Sequence, residues 1–251
     1  MKIRKILLPV ITIVLLLTLP SFSGKKKVNI WMIGDSTMAQ KKPERAPESG
    51  WGEAMKQLVT DKALVHNHAA SGRSSRSFIA QKRWENVLDS LQKGDNVIIQ
   101  FGHNDEKTDS LLYTEPSTTY KEFLKKFIDD SRAKGANPVI CSSIVRRHFD
   151  GNGNLKDTHG NYIRAAREIA DETQTPYVDM EALTRKLLTE LAHEKSKSLF
   201  VFCNPGECPH RKSGVQDSTH LNFYGSHEVA RLFVKEAKKQ KLALGKLFKM
   251  Q

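Results

Sequence analysis

Short apolar runs alternate along the chain with stretches in which apolar residues recur every three or four positions. Val28 to Ile33 is a buried-strand pattern. Trp51 to Thr60 carries Met55, Leu58 and Val59 as a short helical stripe. Ala63 to Asn67 predicts a second strand, and Trp84, Val87, Leu88 and Leu91 repeat at helical spacing. Asn96 to Phe101 predicts a third strand. Ser117 reads as the N-cap of the clearest amphipathic helix, with Tyr120, Phe123, Leu124, Phe127 and Ile128 on one face. The helix ends at Lys134-Gly135-Ala136-Asn137-Pro138, and Val139 to Ser143 follows as a fourth strand. Asp150 to Asn154 is a loop by composition. Tyr162 to Ala170 is helical, Pro176 to Met180 is a fifth strand, and Glu181 to Glu194 is a further helix. Ser196 to Ser213 reads as irregular, and a last helix starts near Asn222.

Strands alternating with helices predict a parallel sheet covered on both faces. Right-handed crossovers make it a doubly wound α/β fold, a three-layer α/β/α sandwich on a five-stranded parallel sheet. Ligands of such sheets bind beyond the carboxyl ends of the strands. The polar clusters fall there. Gly34-Asp35-Ser36 follows the first strand, Asn67 to Gly72 the second, and Gly102-His103-Asn104-Asp105 the third. There is no internal repeat and no linker, so residues 24–251 are expected to form one domain and a monomer.

The first residues stand apart. Lys2, Arg4 and Lys5 precede the apolar run Ile6 to Leu19, and Ser21-Phe22-Ser23 offers small residues for cleavage. This is the pattern of a secretory signal peptide over residues 1–23. An uncleaved anchor is the alternative, but spanning needs about 20 apolar residues. The expected location is periplasmic or extracellular, with no membrane association after cleavage. The chain carries a formal charge of +12, which falls to +9 without Lys2, Arg4 and Lys5. For an exported protein this argues against a nucleic-acid partner. It suits an acidic polymer, whose local concentration a positive surface raises, or simply solubility. Among the three cysteines, Cys141 sits in an apolar run as a buried thiol. Cys203 and Cys208 bracket a turn-rich stretch that export would allow to be bridged. A zinc site of Cys203, Cys208 and His210 is the competing reading, short of the usual ligand set.

The candidate chemistry is that of an activated serine. A serine hydroxyl attacks only when a base takes its proton, and the base works best when a carboxylate holds its tautomer. Ser36 is the candidate nucleophile, although a serine after a strand can also cap a helix. Asp217 and His220, three residues apart in Asp-Ser-Thr-His, are the candidate carboxylate and base. Oxyanion donors are expected from the Ser36 and Gly72 amides and the Asn104 side chain. Gly72 alone would pass as a turn glycine.

Taken together, Ile33-Gly34-Asp35-Ser36-Thr37, Ala-Ser-Gly72-Arg-Ser, Gln100 to Asp105 and Asp217 to Asn222 resemble the four blocks of SGNH-type (GDSL-like) serine esterases. Threonine after Ser36, the Gly-His-Asn-Asp wording and the Phe-Cys-Asn-Pro loop make the chain more narrowly similar to rhamnogalacturonan acetylesterases. The resemblance spans nearly all of the mature chain. It implies the flavodoxin-like SGNH hydrolase fold. It also implies a cofactor-free, metal-free hydrolysis of acetyl esters on an acidic, galacturonate-containing polysaccharide through an acetyl-Ser36 intermediate. His103, Arg73, Arg76, Arg146 and Arg147 are then candidate substrate contacts, the arginines because guanidinium matches carboxylate geometry. The loop Cys203 to Gly214 departs from the plain pattern and leaves the sugar open. The alternatives are an esterase of another acylated carbohydrate such as xylan, a lipase-like esterase, and a non-catalytic carbohydrate-binding protein. A binuclear metallo-phosphoesterase built on His66-Asn67-His68 and His103-Asn104-Asp105 would need several well-placed ligands. No Gly-x-Ser-x-Gly elbow is present.

Overall fold

Val28–Gly34 (β1) is buried from Ile30 onward, and its side chains split by the strand period of two. Ile30 and Met32 enter one core, while Trp31 and Ile33 enter another. Asn96–Gln100 (β3) divides the same way, Ile98 to the first core and Val97 and Ile99 to the second. A strand with apolar residues on both faces requires helices on both sides of its sheet. The computed structural model describes residues 26–250, so the expected leader over residues 1–23 lies outside the described residues.

The remaining strands of the sheet are Ala63–Asn67 (β2), Asn137–Cys141 (β4) and Tyr177–Val178 (β5). All pair in parallel, in the order β2-β1-β3-β4-β5. This is the flavodoxin-like order, in which the chain reverses direction of travel between β1 and β3 and opens a crevice at their carboxyl ends. Trp51–Leu58 (α1) packs beside the last helix, and Trp51, Met55 and Phe233 fill the first core. Ser75–Ala80 (α2), Arg83–Leu88 (α3), Lys121–Ala133 (α4) and Asn161–Glu172 (α5) cover the other face. There Phe78, Trp84, Phe101 and Phe127 pack edge-on and stacked. Each fully buried ring of this kind contributes about 1.5–3 kcal/mol.

The expected three-layer α/β/α sandwich is therefore the observed one, with local departures. The fourth strand begins at Asn137 and ends at Cys141. The fifth is shorter than expected because Asp179 leaves the sheet to cap Met180–Ser196 (α6), its Oδ1 accepting from the Ala182 amide at 3.1 Å. Ser117 is not an N-cap. Its hydroxyl bonds Glu115, and Pro116–Tyr120 forms a wide turn that runs directly into α4. The stretch read as irregular contains half of an antiparallel hairpin, Phe200–Cys203 (β6) with Val215–Leu221 (β7). Cys203 and Cys208 form a disulfide in the loop between them, which removes both thiols from any zinc site. Cys141 is free and buried, and burial pushes its thiol far above its ordinary pKa. Phe223–Lys239 (α7) closes the fold, with Asn222 as its N-cap at 2.9 Å from the Gly225 amide.

Candidate active site

Ser36 stands where β1 leaves the sheet. The strand can hug β3 here only because residue 34 is glycine, since a Cβ would lie 2.6 Å from the Gln100 carbonyl oxygen. A buried chain of hydrogen bonds then sets the turn. Trp51 Nε1 donates to Gln100 Oε1 at 2.8 Å, Gln100 Nε2 to Thr37 Oγ1 at 2.7 Å, and Thr37 Oγ1 to Asp35 Oδ1 at 2.8 Å. The Thr37 amide also donates to Asp35. Burial raises the Asp35 carboxyl pKa, and the Thr37 donors oppose the rise. Tethering residues 35 and 37 leaves the Ser36 side chain facing outward into the crevice, partly exposed.

His220 reaches Ser36 through a defect in the hairpin. Val201 pairs with Asp217, but the next residue back, Phe200, pairs with Leu221. Ser218, Thr219 and His220 are thus extruded as a bulge, a device that re-aims side chains near functional sites. Asp217 Oδ1 accepts the Thr219 amide at 2.8 Å and the His220 amide at 2.9 Å, which holds the bulge closed. The other carboxylate oxygen lies 2.7 Å from His220 Nδ1. His220 Nε2 lies 3.0 Å from Ser36 Oγ across 184 residues of chain. Burial would raise the Asp217 carboxyl, but the bonds from the His220 ring and from the two amides outweigh it and bring the pKa to about 2. The group is therefore an acceptor-only carboxylate at any ordinary pH.

The oxyanion candidates meet at the same place. Gly72 sits in a turn after β2 with φ +75°, a conformation that favours glycine. Among the described residues, neither the Gly72 nor the Ser36 amide donates to a protein acceptor. Asn104 is buried, and one Nδ2 hydrogen goes to the Arg73 carbonyl at 3.0 Å while its Oδ1 accepts Lys107 Nζ at 2.7 Å. That orientation leaves the second Nδ2 hydrogen for the crevice. Asp105, next in the chain, ties the loop down by accepting from Ser75 and Thr114 and from the Gly102 amide.

Ser36, Ser71, Gly72, Asn104 and His220 line an open crevice of about 540 Å³. Its lining also holds basic residues that sequence reading did not single out, namely Lys41, Lys42, Arg45 and Lys107, of which Lys41 and Arg45 pair with Glu48 in the same lining. The signal was available in the charge run Lys41-Lys42-Pro43-Glu44-Arg45, which follows the Ser36 block directly. The expected substrate contacts lie elsewhere. The Arg146 guanidinium pairs with Glu106 at 2.5 Å and donates to the carbonyls of His103 and Thr158. Arg147 is buried between the Phe149 and Phe202 rings and bonds Ser196 and the His193 carbonyl. Its amide holds the bulge through the Ser218 carbonyl at 2.8 Å. Arg73 bonds Gln81 and the Ser71 carbonyl, and Arg76 bonds the Tyr113 carbonyl. His103 is buried with Nδ1 2.9 Å from His159 Nε2, and burial followed by that neighbour holds its pKa well below the usual histidine range. Each of these side chains has an internal partner, and none of them lines the crevice.

The metal-centred alternative finds no ligand set. His66 bonds Asn29 and stacks on Trp31. Among the described residues no three His, Cys, Asp or Glu side chains are grouped to hold a metal ion. No described helix is long and apolar enough to cross a membrane.

Comparison with known proteins identifies the family. The profile of the GDSL-like lipase/acylhydrolase family matches residues 32–222. The rhamnogalacturonan acetylesterase RhgT of Bacillus subtilis is 40% identical over 83% of this chain and 88% of its own length. A rhamnogalacturonan acetylesterase of Emericella nidulans is 28% identical, covering 82% of this chain and 83% of its own. Among solved structures, Bacillus subtilis YxiM superposes with a TM-score of 0.74 at 25% identity, over 87% of this chain and 58% of that one. The acetylxylan esterase Axe2 of Geobacillus stearothermophilus shares the fold with a TM-score of 0.59 at 18% identity, over 85% of this chain and 96% of that one.

Proposed function

The chain belongs to the GDSL-like lipase/acylhydrolase family and is a carboxylic ester hydrolase, and on that premise we propose that it removes acetyl groups from an acidic pectic polysaccharide of the rhamnogalacturonan type. The observation that carries the reading is the run of contacts from Asp217 through His220 to Ser36, at 2.7 and 3.0 Å, opening into a crevice whose lining holds basic residues.

In this reading Ser36 Oγ attacks the acetyl carbonyl carbon as His220 Nε2 takes its proton. The carbonyl oxygen becomes an oxyanion that the Ser36 and Gly72 amides and the free Asn104 Nδ2 hydrogen stabilise. Asp217 keeps Nδ1 protonated and stabilises the imidazolium. The tetrahedral species collapses as His220 returns the proton to the sugar oxygen, which leaves as an alcohol and leaves acetyl-Ser36. A water then attacks acetyl-Ser36 as His220 takes its proton, and collapse breaks the bond to Ser36 Oγ, which takes that proton back from His220 as acetate leaves. General-base assistance of this type is worth about 10² to 10⁴ in rate. Each oxyanion donor is worth about 3 to 4 kcal/mol.

The substrate class rests on the names of the relatives and on charge. Lys42 and Lys107 line the crevice together with Ser36, where a uronate carboxylate beside the ester would meet them. A long acyl chain would meet these same charges and lose more by desolvating them than it gains. Export after removal of residues 1–23 agrees with a polymer substrate outside the cell. The test is acetate release from acetylated rhamnogalacturonan and acetylated xylan, with Ser36→Ala as control. Release from rhamnogalacturonan that Ser36→Ala abolishes is expected. Release from xylan alone sinks the substrate reading, and release by Ser36→Ala sinks the mechanism.

A further inference from the structure

Beside the crevice lies a smaller pocket of about 170 Å³, and we propose that it is a second sugar subsite, holding the pyranose unit next to the one that carries the ester at Ser36. The inference rests on the polysaccharide reading above. The two sites adjoin, since Gln40, Lys41, Lys42 and Glu48 stand in the walls of both. Its lining is mixed, with Phe223, Pro43 and Ala46 apolar and Gln40, Lys41, Lys42, Glu48 and Glu53 polar. A pyranose is mixed in the same way, with C–H groups on its face and hydroxyls at its rim. The volume is that of about five or six waters, enough for one sugar ring.

Phe223 is the specific feature. It is the third residue after His220 and opens α7, yet 52% of it is exposed. An exposed phenylalanine needs no explanation when it stands alone on a surface. This one forms a wall of a pocket that joins the site of chemistry, where a flat apolar surface orients a ligand that a few polar groups then fix. Its position is held. Ser49 N–H donates to the Leu221 carbonyl at 2.9 Å and the Glu48 main chain bridges to Asn222, so the end of the 40–48 segment is tied to the start of α7 beside the His220 bulge. A sugar stacked on Phe223 would therefore keep its neighbour in register with Ser36. Binding energy gathered there serves to orient the ester.

The experiment compares kcat/KM on an acetylated rhamnogalacturonan oligosaccharide with kcat/KM on p-nitrophenyl acetate, which has no second sugar. The ratio of the two is expected to fall about threefold to tenfold in Phe223→Ala, the range of an aromatic contact. The loss should appear in kcat as well as in KM, because the contact orients the ester. Phe223→Trp should keep the ratio, and Ala46→Phe, which fills the pocket with a second ring, should lower it as Phe223→Ala does. If wild type cleaves both substrates and the ratio is the same in all three variants, the subsite is overturned while the esterase reading stands. If wild type cleaves p-nitrophenyl acetate and never the oligosaccharide, the substrate reading and the subsite fall together.

Discussion

Lys41 Nζ lies 2.7 Å from Glu48 Oε1, and each side chain is only 5% exposed. The same ammonium donates to the Ser36 carbonyl at 2.6 Å and to Ser71 Oγ at 3.2 Å, next to Gly72. Glu48 in turn bridges to Asn222, two residues from His220. The ion pair thus joins the nucleophile turn to the oxyanion turn, and the Glu48 main chain carries the link on to the residues beside the base. Burial raises the Glu48 carboxyl, but the bond and charge of Lys41, helped by Arg45, reverse this and lower it. Lys41→Met should cost about 3 kcal/mol of stability, because it strips a buried carboxylate of its main partner. It should also lower kcat at least tenfold. Lys41→Met/Glu48→Met should recover most of the stability, since buried pairs are often replaceable by apolar groups. It should not recover kcat. Thermal unfolding together with p-nitrophenyl acetate kinetics separates the two effects, and full recovery of both would show that the pair aligns nothing.

Asp217 ties stability to pH in a definite direction. Its folded pKa of about 2 lies below the ordinary value of 3.8, so the fold favours the ionised form. The contribution, about 2 kcal/mol, is complete above about pH 4 and is lost as pH falls through about 2. Asp217→Asn should therefore flatten the pH dependence of unfolding free energy between pH 4 and pH 2. At neutral pH it should reduce kcat by about 10² to 10⁴, because the amide no longer selects the productive His220 tautomer. An unchanged pH slope would contradict the depressed pKa.

Asp105 is different, being held by burial rather than by a cation. Burial pushes its carboxyl up to about 7, with the Ser75 and Thr114 donors opposing the rise. Because the folded pKa is raised, ionisation opposes folding, and this group lowers stability as pH climbs from about 4 to 7. At pH 8, where the carboxylate only accepts, Asp105→Asn should cost about 2 kcal/mol, since an amide nitrogen would face the Gly102 N–H or the Ser75 and Thr114 donors. It should also slow turnover by loosening Asn104. Denaturant unfolding at pH 5 and pH 8, with kinetics, measures both.

Asn104 and Gly72 offer a contrast between side-chain and main-chain donors. Asn104→Ala should lower kcat by about 10² to 10³ with little change in KM. Gly72→Ala keeps its N–H, and a Cβ there meets nothing within 4 Å. Its cost should be conformational, about 1 kcal/mol of stability from φ +75°, with kcat reduced less than tenfold. A larger loss of kcat in Gly72→Ala than in Asn104→Ala would reverse the proposed roles.

The apolar runs determined the five strands, and the helical spacings determined most of the covering layers, because burial on two faces or one leaves a periodic trace in any chain. The short polar blocks around Ser36, Gly72, Asn104 and Asp217 were legible for a related reason, since each is local and each follows a strand or precedes a helix. The hairpin β6/β7 was not legible. Its second strand, Val215–Leu221, is mostly polar and only half buried, so it carries no apolar signature. Nor could spacing reveal that Ser218 to His220 bulge from it, because the bulge exists only against Phe200 and Val201.

The sequence by itself thus determined the architecture and the kinds of group at the crevice. The tertiary structure decided which charges face it. Arg146 and Arg147 looked as fit for an acidic ligand as Lys42, but Glu106, Ser196 and two aromatic rings lay within reach of the first two, and the crevice within reach of Lys42. A long cationic side chain takes the nearest partner that repays its desolvation, and such partners are neighbours in space that no local pattern along the chain records.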